Sequence, residues 1–431
     1  MKKVFLALSM LCAAALAHAT EEIRLWHAMS GPLGVELDRL VARFNASQRD
    51  YRVVSFFQGP YDAVMADELA VRKGTRHAPH IVQAHDAATA EMIRSGMALP
   101  LWQVMHDNGQ VADIRYLPAV SAYFADAQGR LLALPFNVST PVLYYNRDAF
   151  RLAKLDPSRP PATWYEMPEI LGRLLDAGQT CALTTTSPSW VLMETMSAWH
   201  NQAFATHHNG MAGGEARLSF NTRLMVRWIS VLSSWQKSGY FTYAGRSDEA
   251  EARFASGECA LLTASSASYH RLRDVAQFDF GVAQLPYYDD FDDAPQNTLV
   301  GGSALWVIGG APPGDYRGVA RFLAYLSSID VQAFWHQRTG YVPITAAAYE
   351  LSRRQGFYRG HPEQEVAVRQ LLLKPPTEDS RGVRLGGLRR IRGIIHEELE
   401  AVWSGVKPPL EALNAAVQRG NLLLDTKAAY R

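Results

Sequence analysis

The sequence lacks the short motifs that mark common enzyme classes. It contains no GxxxxGK[ST] phosphate loop, no GxGxxG after a predicted strand, no HExxH and no GxSxG. Its histidines are scattered, and its three cysteines do not have the spacing of metal ligands. A missing motif does not by itself exclude an enzyme, but these absences favour a protein without a catalytic centre, metal or cofactor.

The chain also lacks a charge excess. Lys and Arg number 43 against 42 Asp and Glu, so the formal net charge is +1. This balance does not indicate a nucleic acid or an acidic membrane surface as partner. No stretch reaches the roughly 18 consecutive apolar residues of a membrane-spanning helix.

The amino terminus has the pattern of a secretory signal peptide. A basic head, Met1–Lys3, precedes an apolar run from Val4 to Leu16, and Ala17-His18-Ala19 is a small-x-small cleavage pattern. We therefore predict a signal peptide at residues 1–19, cleaved near Ala19, and an exported periplasmic protein. Lipid attachment at Cys12 is disfavoured, because the preceding Leu11 is not small.

Two cysteines, Cys181 and Cys259, remain after cleavage. Each begins a similar apolar run, CALTTT and CALLTA, so the two runs are candidates for neighbouring strands. An oxidising periplasm favours a disulfide between them. Two buried thiols are the alternative.

The periodicity predicts an α/β fold. A strand at EEIRLWHAM, a helix that begins after Ser30 and a strand at YRVVSFFQ form a β-α-β unit, which implies a parallel sheet. The pattern repeats from HIVQA. LPFNVSTPVLYYN is predicted as one strand, and Tyr316 to Arg338 as one helix. The length exceeds the roughly 250 to 300 residues of a single core, so we expect two lobes, beginning near Thr20 and Val138.

Several segments together resemble the periplasmic sn-glycerol-3-phosphate-binding proteins of ABC importers. They are LWHAMSGPLG, LPFNVSTPVLYYNRDAF, DAPQNTLVGGSALWV, WHQRTGYVPIT and EELEAVW, and the likeness runs from about Glu22 to Leu424. It implies two α/β lobes joined by a hinge that the chain crosses about three times. The lobes would comprise residues 20–136 plus 288–340 and residues 137–287 plus 341–431. A ligand would lie between them, and a membrane permease with its ATPase would receive it from a monomeric binding protein.

The resemblance also implies a ligand site. Its matching positions are Tyr61, Asp86, Ser139, Trp190, Ser265, Gly302, Tyr341 and Arg392. The two phenols, the serines, the glycine N–H and the planar guanidinium would contact the phosphate. Each position also has a simpler explanation. Ser139 could bond nearby backbone, and Gly302 could be required by a tight strand crossing. The tyrosines could be ordinary half-buried side chains, and Arg392 could be a solvated helical arginine. Ser266 is a rival to Ser265. Asn137 and Thr140 are expected to bond the hinge backbone.

Two positions depart from the family pattern. Asp86 stands where the family has a glutamate, so its reach toward glycerol hydroxyls is one methylene shorter; a helix cap is its simpler role. Ser187 stands where the family has the first of two tryptophans, and only Trp190 remains. The freed volume suits a glycerophosphodiester such as glycerophosphocholine, whose quaternary ammonium can face Trp190. Alternatively, a neighbouring aromatic fills the gap.

Other functions remain as alternatives at this point. A sugar or oligosaccharide receptor of an ABC importer would need stacked aromatics and no arginine that faces a phosphate. A periplasmic phosphodiesterase would need a metal cluster, or a nucleophile with its base. A purely structural exported protein would bind no small molecule.

Overall fold

The computed structural model describes residues 20–61, 78–110, 114–213 and 215–429. The predicted signal peptide, residues 1–19, lies outside the described residues. In the described part of the chain, no helix is both long enough and apolar enough to cross a bilayer.

The strands form two sheets, which confirms the predicted α/β class. They are β1 Glu21–His27, β2 Tyr51–Phe57, β3 Ile81–His85, β4 Ala98–Leu99, β5 Leu134–Ser139, β6 Pro141–Asn146, β7 Cys181–Thr185, β8 Cys259–Ser265, β9 Phe280–Ala283 and β10 Gly301–Ile308. The first sheet has the order β2-β1-β3-β10-β4, with β5 also paired to β10, and the second has the order β7-β8-β6-β9. The predicted parallel pairing at the start of the chain is confirmed, since β1 is parallel to β2 and β3.

Helices cover and connect these sheets. They are α1 Gly31–Ser47, α2 Thr89–Arg94, α3 Leu101–Asp107, α4 Pro118–Phe124, α5 Arg147–Leu152, α6 Met167–Asp176, α7 Thr195–Trp199, α8 Arg223–Ser238, α9 Glu249–Ala255, α10 Tyr269–Val275, α11 Pro313–Leu326, α12 Ile329–Thr339, α13 Ala346–Arg354, α14 Phe357–Gly360, α15 Pro362–Leu371, α16 Leu388–Trp403 and α17 Pro409–Ala429. In α1, Leu37, Leu40, Val41 and Phe44 are buried on one face, as their spacing predicts. Ser30 occupies the N-cap position but makes no side-chain capping bond.

The stretch predicted as a single strand is two strands in different sheets, so that prediction was wrong. The division falls at Thr140, between β5 and β6. The Thr140 carbonyl accepts from Ser266 N–H at 2.8 Å, and Thr140 Oγ1 donates to the Leu299 carbonyl at 2.8 Å. Thr140 therefore bonds backbone where the chain passes from one sheet to the other, in the structural role predicted for it; that this point is a hinge stays a prediction. Asn137 instead bonds a side chain, because its Oδ1 accepts from Gln83 at 2.8 Å.

The helix predicted from Tyr316 to Arg338 is also divided. Helix α11 ends at Leu326, and Ser328 is extended, with φ −65° and ψ 148°, before α12 begins. The hydroxyls of Ser327 and Ser328 donate to the carbonyls of Leu323 and Tyr325. Such local side-chain bonds compete with the helix, which periodicity of apolar residues does not reveal.

Cys181 and Cys259 form a disulfide, the first of the two alternatives. The predicted neighbouring strands are β7 and β8, which run parallel with Cys181 directly opposite Cys259. The bond therefore joins the two strands at their amino-terminal ends.

The ends of the strands position the site. The parallel strands β1, β2 and β3 end at the same edge of the first sheet, where the antiparallel β10 begins, with Ser303 opposite His85. In the second sheet, the end of β8 faces the start of β6, with Ser265 opposite Pro141. Because β5 and β6 are separated only by Thr140, these two edges are adjacent.

Candidate functional site

A cavity of about 280 Å³ lies where the two sheet edges meet. Its walls contain every residue of the predicted site: Tyr61, Asp86, Ser139, Trp190, Ser265, Gly302, Tyr341 and Arg392. It also contains Ser187, the departure from the family pattern noted above, and five residues that sequence analysis did not select, namely His85, Arg246, Ala267, Gly301 and His396. Two larger clefts, of about 460 and 470 Å³, lie elsewhere and contain none of the predicted residues.

Arg392 is the electrostatic centre of the cavity. It lies on α16, and its side chain is 14 % exposed. Its Nε and Nη2 donate to Glu194 Oε1 and Oε2 at 2.8 and 2.9 Å, and Nη2 also donates to Asp86 Oδ2 at 3.1 Å. Nη1 makes no hydrogen bond to any described residue. Burial lowers the pKa of the guanidinium, but the Glu194 and Asp86 carboxylates outweigh burial and hold the pKa above its usual range.

Glu194 is a functional candidate that sequence analysis missed. It is 1 % exposed, at the end of a π-helical turn, Ser189–Glu194, that also carries Trp190. Its two oxygens fix the orientation of the Arg392 guanidinium by a bidentate contact. A signal was present in the sequence, because a single acid within the apolar run SWVLMETMSAW requires a buried partner.

Asp86 is buried and remains ionised. Its Oδ1 lies 3.0 Å from His85 Nδ1, and its Oδ2 contacts Arg392. Burial raises the pKa of the carboxyl, but His85 and Arg392 hold the pKa well below its usual range. Asp86 does not cap the following helical turn, since the capping side chain there is His85.

Hydroxyl donors surround this charged centre. The Ser139 hydroxyl makes no hydrogen bond to any described residue, so it does not serve the local backbone bend. Ser265 Oγ accepts from Ala267 N–H at 3.2 Å, which leaves its own proton to donate. Ser266 instead bonds the Thr140 backbone. Burial raises the pKa values of Tyr61 and Tyr341, so both phenols stay neutral donors.

Two positions require glycine, because neighbouring atoms lie too close to leave room for a side chain. Gly302 has φ +108°, and a Cβ there would lie 1.7 Å from the Asn137 carbonyl oxygen, so the tight strand crossing alone demands glycine. A Cβ on Gly301 would lie 2.4 Å from the Trp190 indole. The glycine pair therefore lets Trp190 lie directly against the start of β10.

The position of the missing indole is bordered by polar groups. Ser187 has φ +42°, and its N–H donates to the Ser247 carbonyl at 2.9 Å. Ser187 shares the cavity wall with Trp190, Arg246 and His396. Besides Trp190, the aromatic rings that line the cavity belong to Tyr61, Tyr341, His85 and His396.

Known proteins resemble this chain along nearly its whole length. Residues 39–356 match the model of the family described as bacterial extracellular solute-binding protein. The sn-glycerol-3-phosphate-binding periplasmic protein UgpB of Yersinia enterocolitica is 46 % identical over 410 residues, which cover 95 % of this chain and 93 % of that protein. UgpB of Escherichia coli O1:K1 is 44 % identical with the same coverage of both chains.

Solved structures show the same fold. UgpB of Mycobacterium tuberculosis, crystallised with glycerophosphocholine, superimposes with a TM-score of 0.80 at 23 % identity and covers 95 % of this chain and all of its own. A cyclic maltosyl-maltose-binding protein of Arthrobacter globiformis superimposes with a TM-score of 0.78 at 20 % identity, over 95 % of this chain and all of its own. This fold, the family match and the near-complete overlap with curated relatives lead to one conclusion: the chain belongs to the bacterial extracellular solute-binding proteins.

Proposed function

We propose that this chain is the periplasmic substrate-binding component of an ABC importer for sn-glycerol-3-phosphate and glycerophosphodiesters such as glycerophosphocholine. The observation that carries the proposal is a single cavity that combines the guanidinium of Arg392 with hydroxyl donors from both sheets. Ser139 ends a strand of the first sheet and Ser265 ends a strand of the second. A phosphate needs many such donors and only one fixed cation if it is to be released.

The charges of the cavity suit a ligand with two different ends. Asp86 and Glu194 together balance and exceed the charge of Arg392, so a bare anion has little net attraction to this cluster. Hydroxyl donors satisfy the phosphate oxygens, while the ionised Asp86 accepts hydrogen bonds from glycerol hydroxyls. A glycerol phosphate offers acceptors at one end and hydroxyl donors at the other.

The proposed setting follows the curated relatives, which are named as periplasmic binding proteins. The signal peptide would be cleaved near Ala19, and the monomer would deliver its ligand to a membrane permease driven by an ATPase. Two lobes, one on each sheet, would close about the hinge at Thr140. The lobe boundaries derived from the sequence remain predictions.

The test is calorimetric titration of the refolded, ligand-free mature protein with glycerol-3-phosphate and, separately, with glycerophosphocholine. We expect saturable one-to-one binding of at least one of them. If neither binds, the proposal fails and the sugar receptor becomes the better hypothesis. Because a bare anion gains little at this cluster, inorganic phosphate should compete only at concentrations far above those of the ligand, whereas a sugar receptor would ignore it at any concentration.

A hydrolytic function is tested in the same sample. A phosphodiesterase would release glycerol-3-phosphate from glycerophosphocholine when divalent cations are added. Among the residues that the structure describes, no group of three or more His, Cys, Asp or Glu side chains is placed to hold a metal ion. We expect no turnover, and metal-dependent release of product would contradict the proposal.

A further inference from the structure

The wall next to Trp190 contains a second set of polar groups that the phosphate and glycerol contacts do not use. We call it the Ser187 subsite; it consists of Ser187, Arg246 and His396, all of which line the cavity. Ser187 is attached to the segment that carries Arg246, because its N–H donates to the Ser247 carbonyl at 2.9 Å. The subsite is therefore built from three separate parts of the chain held together by defined contacts.

His396 presents a hydrogen-bond donor at this subsite. Its Nε2 accepts from the Ser189 N–H at 3.2 Å, so the proton of the neutral ring is on Nδ1. Burial and the neighbouring arginines Arg246 and Arg392 lower the pKa of His396 to about 4, so the ring is neutral at neutral pH. Nδ1 makes no hydrogen bond to any described residue.

Arg246 presents a second donor, at the mouth of the cavity. Its Nε donates to Glu400 Oε1 at 2.7 Å, and its Nη2 contacts Glu400 Oε2. The Tyr243 hydroxyl also donates to Glu400 Oε1, at 2.7 Å, which fixes the carboxylate further. The guanidinium is thus held in one orientation, and Nη1 makes no hydrogen bond to a described residue.

These two donors, Nδ1 of His396 and Nη1 of Arg246, need hydrogen-bond acceptors when a ligand displaces the water around them. A hydroxylated head group supplies oxygen acceptors to Nδ1 of His396 and Nη1 of Arg246. A trimethylammonium group supplies none, removes water from both donors, and brings a positive charge toward Arg246. In its favour it has the face of Trp190, since Ser187 replaces the second indole. The nearest carboxylate to Arg246, Glu400, is already paired with that arginine.

We propose that the Ser187 subsite binds the head group of a glycerophosphodiester and selects hydroxylated head groups, such as a second glycerol, over choline. This inference rests on the proposed function, and it adds the roles of Arg246, His396 and Ser187 in choosing the head group. Choline diesters would still bind through the phosphate and glycerol contacts, but more weakly.

The first test compares three ligands on the unmodified mature protein by calorimetry: glycerol-3-phosphate, glycerophosphoglycerol and glycerophosphocholine. We expect glycerophosphoglycerol to bind at least about tenfold tighter than glycerophosphocholine, equivalent to about 1.4 kcal/mol. Equal affinities, or tighter binding of the choline diester, would overturn the inference even if glycerol-3-phosphate binds well. Failure of all three ligands would overturn the proposed function as well.

The second test removes one donor. The quantity compared is the dissociation constant of glycerophosphocholine divided by that of glycerophosphoglycerol. In Arg246→Met, we expect this ratio to fall by at least about fivefold. Arg253→Met is the matched control, because Arg253 forms a surface ion pair with Glu258 at 3.0 Å and does not line the cavity. The control should keep the ratio of the unmodified protein. An unchanged ratio in Arg246→Met would remove Arg246 from head-group selection, and thermal unfolding of each variant verifies that it is folded.

Discussion

At the scale of single residues, the arrangement of Arg392 fits the proposed binding and release of a phosphate. Two buried carboxylates contact the guanidinium, so its charge is already balanced before a ligand arrives. Glu194 holds the guanidinium plane through two parallel hydrogen bonds, and Asp86 contacts Nη2. The remaining nitrogen, Nη1, provides a directed donor without the full attraction of a bare cation.

Replacing Arg392 by alanine tests this role. We expect Arg392→Ala to weaken glycerol-3-phosphate binding at least about tenfold, equivalent to about 1.4 kcal/mol. It should also lower the free energy of unfolding by about 3–5 kcal/mol, because it leaves Glu194 buried without a counter-charge and Asp86 with His85 as its remaining partner. Calorimetric titration and urea unfolding measure the two effects.

Arg390→Ala is the natural control for that variant, since Arg390 lies on the same helix, α16, but is exposed. It should keep the affinity of the unmodified protein. An Arg392→Ala protein that is folded and binds with unchanged affinity would exclude Arg392 from the site. Arg392→Lys, which keeps the charge but loses the planar fork, separates charge from geometry.

At the scale of secondary-structure elements, strand β8 carries two separate functions at its two ends. Cys259 begins the strand and is joined to Cys181 of β7, whereas Ser265 ends it in the cavity wall. With a rise of about 3.3 Å per residue, these ends lie roughly 20 Å apart. The disulfide therefore stabilises the second sheet from the end opposite to the cavity.

Removing the disulfide should change stability without changing binding. For the Cys181→Ser, Cys259→Ser double variant we expect a loss of about 2–4 kcal/mol in the free energy of unfolding, because the bond closes a long loop. Urea denaturation measures this loss, and adding reductant should bring the unmodified protein to the same stability. A tenfold change in ligand affinity would show that the strand transmits distortion to Ser265.

At the scale of the whole molecule, three buried or partly buried histidines make the free energy of unfolding depend on pH. Burial lowers the pKa values of His200, His336 and His396 to about 4, against an ordinary value of 6.5. The unfolded chain binds protons at these positions below pH 6.5, whereas the native protein does so only near pH 4. Protonation therefore favours unfolding across this window, and stability should fall as the pH drops from about 6.5 toward 4.

His200→Gln tests the contribution of one of these rings. His200 is fully buried; its Nδ1 lies 2.8 Å from the Met196 carbonyl, and its Nε2 accepts from Tyr288 N–H at 2.9 Å. Glutamine does not titrate, so the loss of unfolding free energy between about pH 7 and pH 5 should be smaller in this variant. His106→Gln is the control, because His106 is 73 % exposed. Equal losses in His200→Gln and the unmodified protein would contradict the assignment.

Local patterns were sufficient to predict much of this molecule. The β-α-β opening, the α/β class and the likeness to glycerol-3-phosphate-binding proteins follow from short segments whose order is visible in the sequence. The pairing of Cys181 with Cys259 was one of two alternatives, and similar apolar runs pointed to it. All eight candidate positions line one cavity. Ser139 and Ser265 end strands and Asp86 follows one, whereas Arg392 lies on helix α16 and was selected only by its match to the family.

Only the tertiary structure revealed which distant groups meet. Glu194 and Asp86 contact Arg392 from 198 and 306 residues away in the chain. Thr140, where a continuous apolar stretch divides into two strands, donates to the Leu299 carbonyl, 159 residues away in the chain. Arg246 and His396 form a wall with Ser187 through contacts that no periodicity encodes. Apolar spacing reports which face of an element is buried, whereas charge pairing depends on how separate elements are brought together in space.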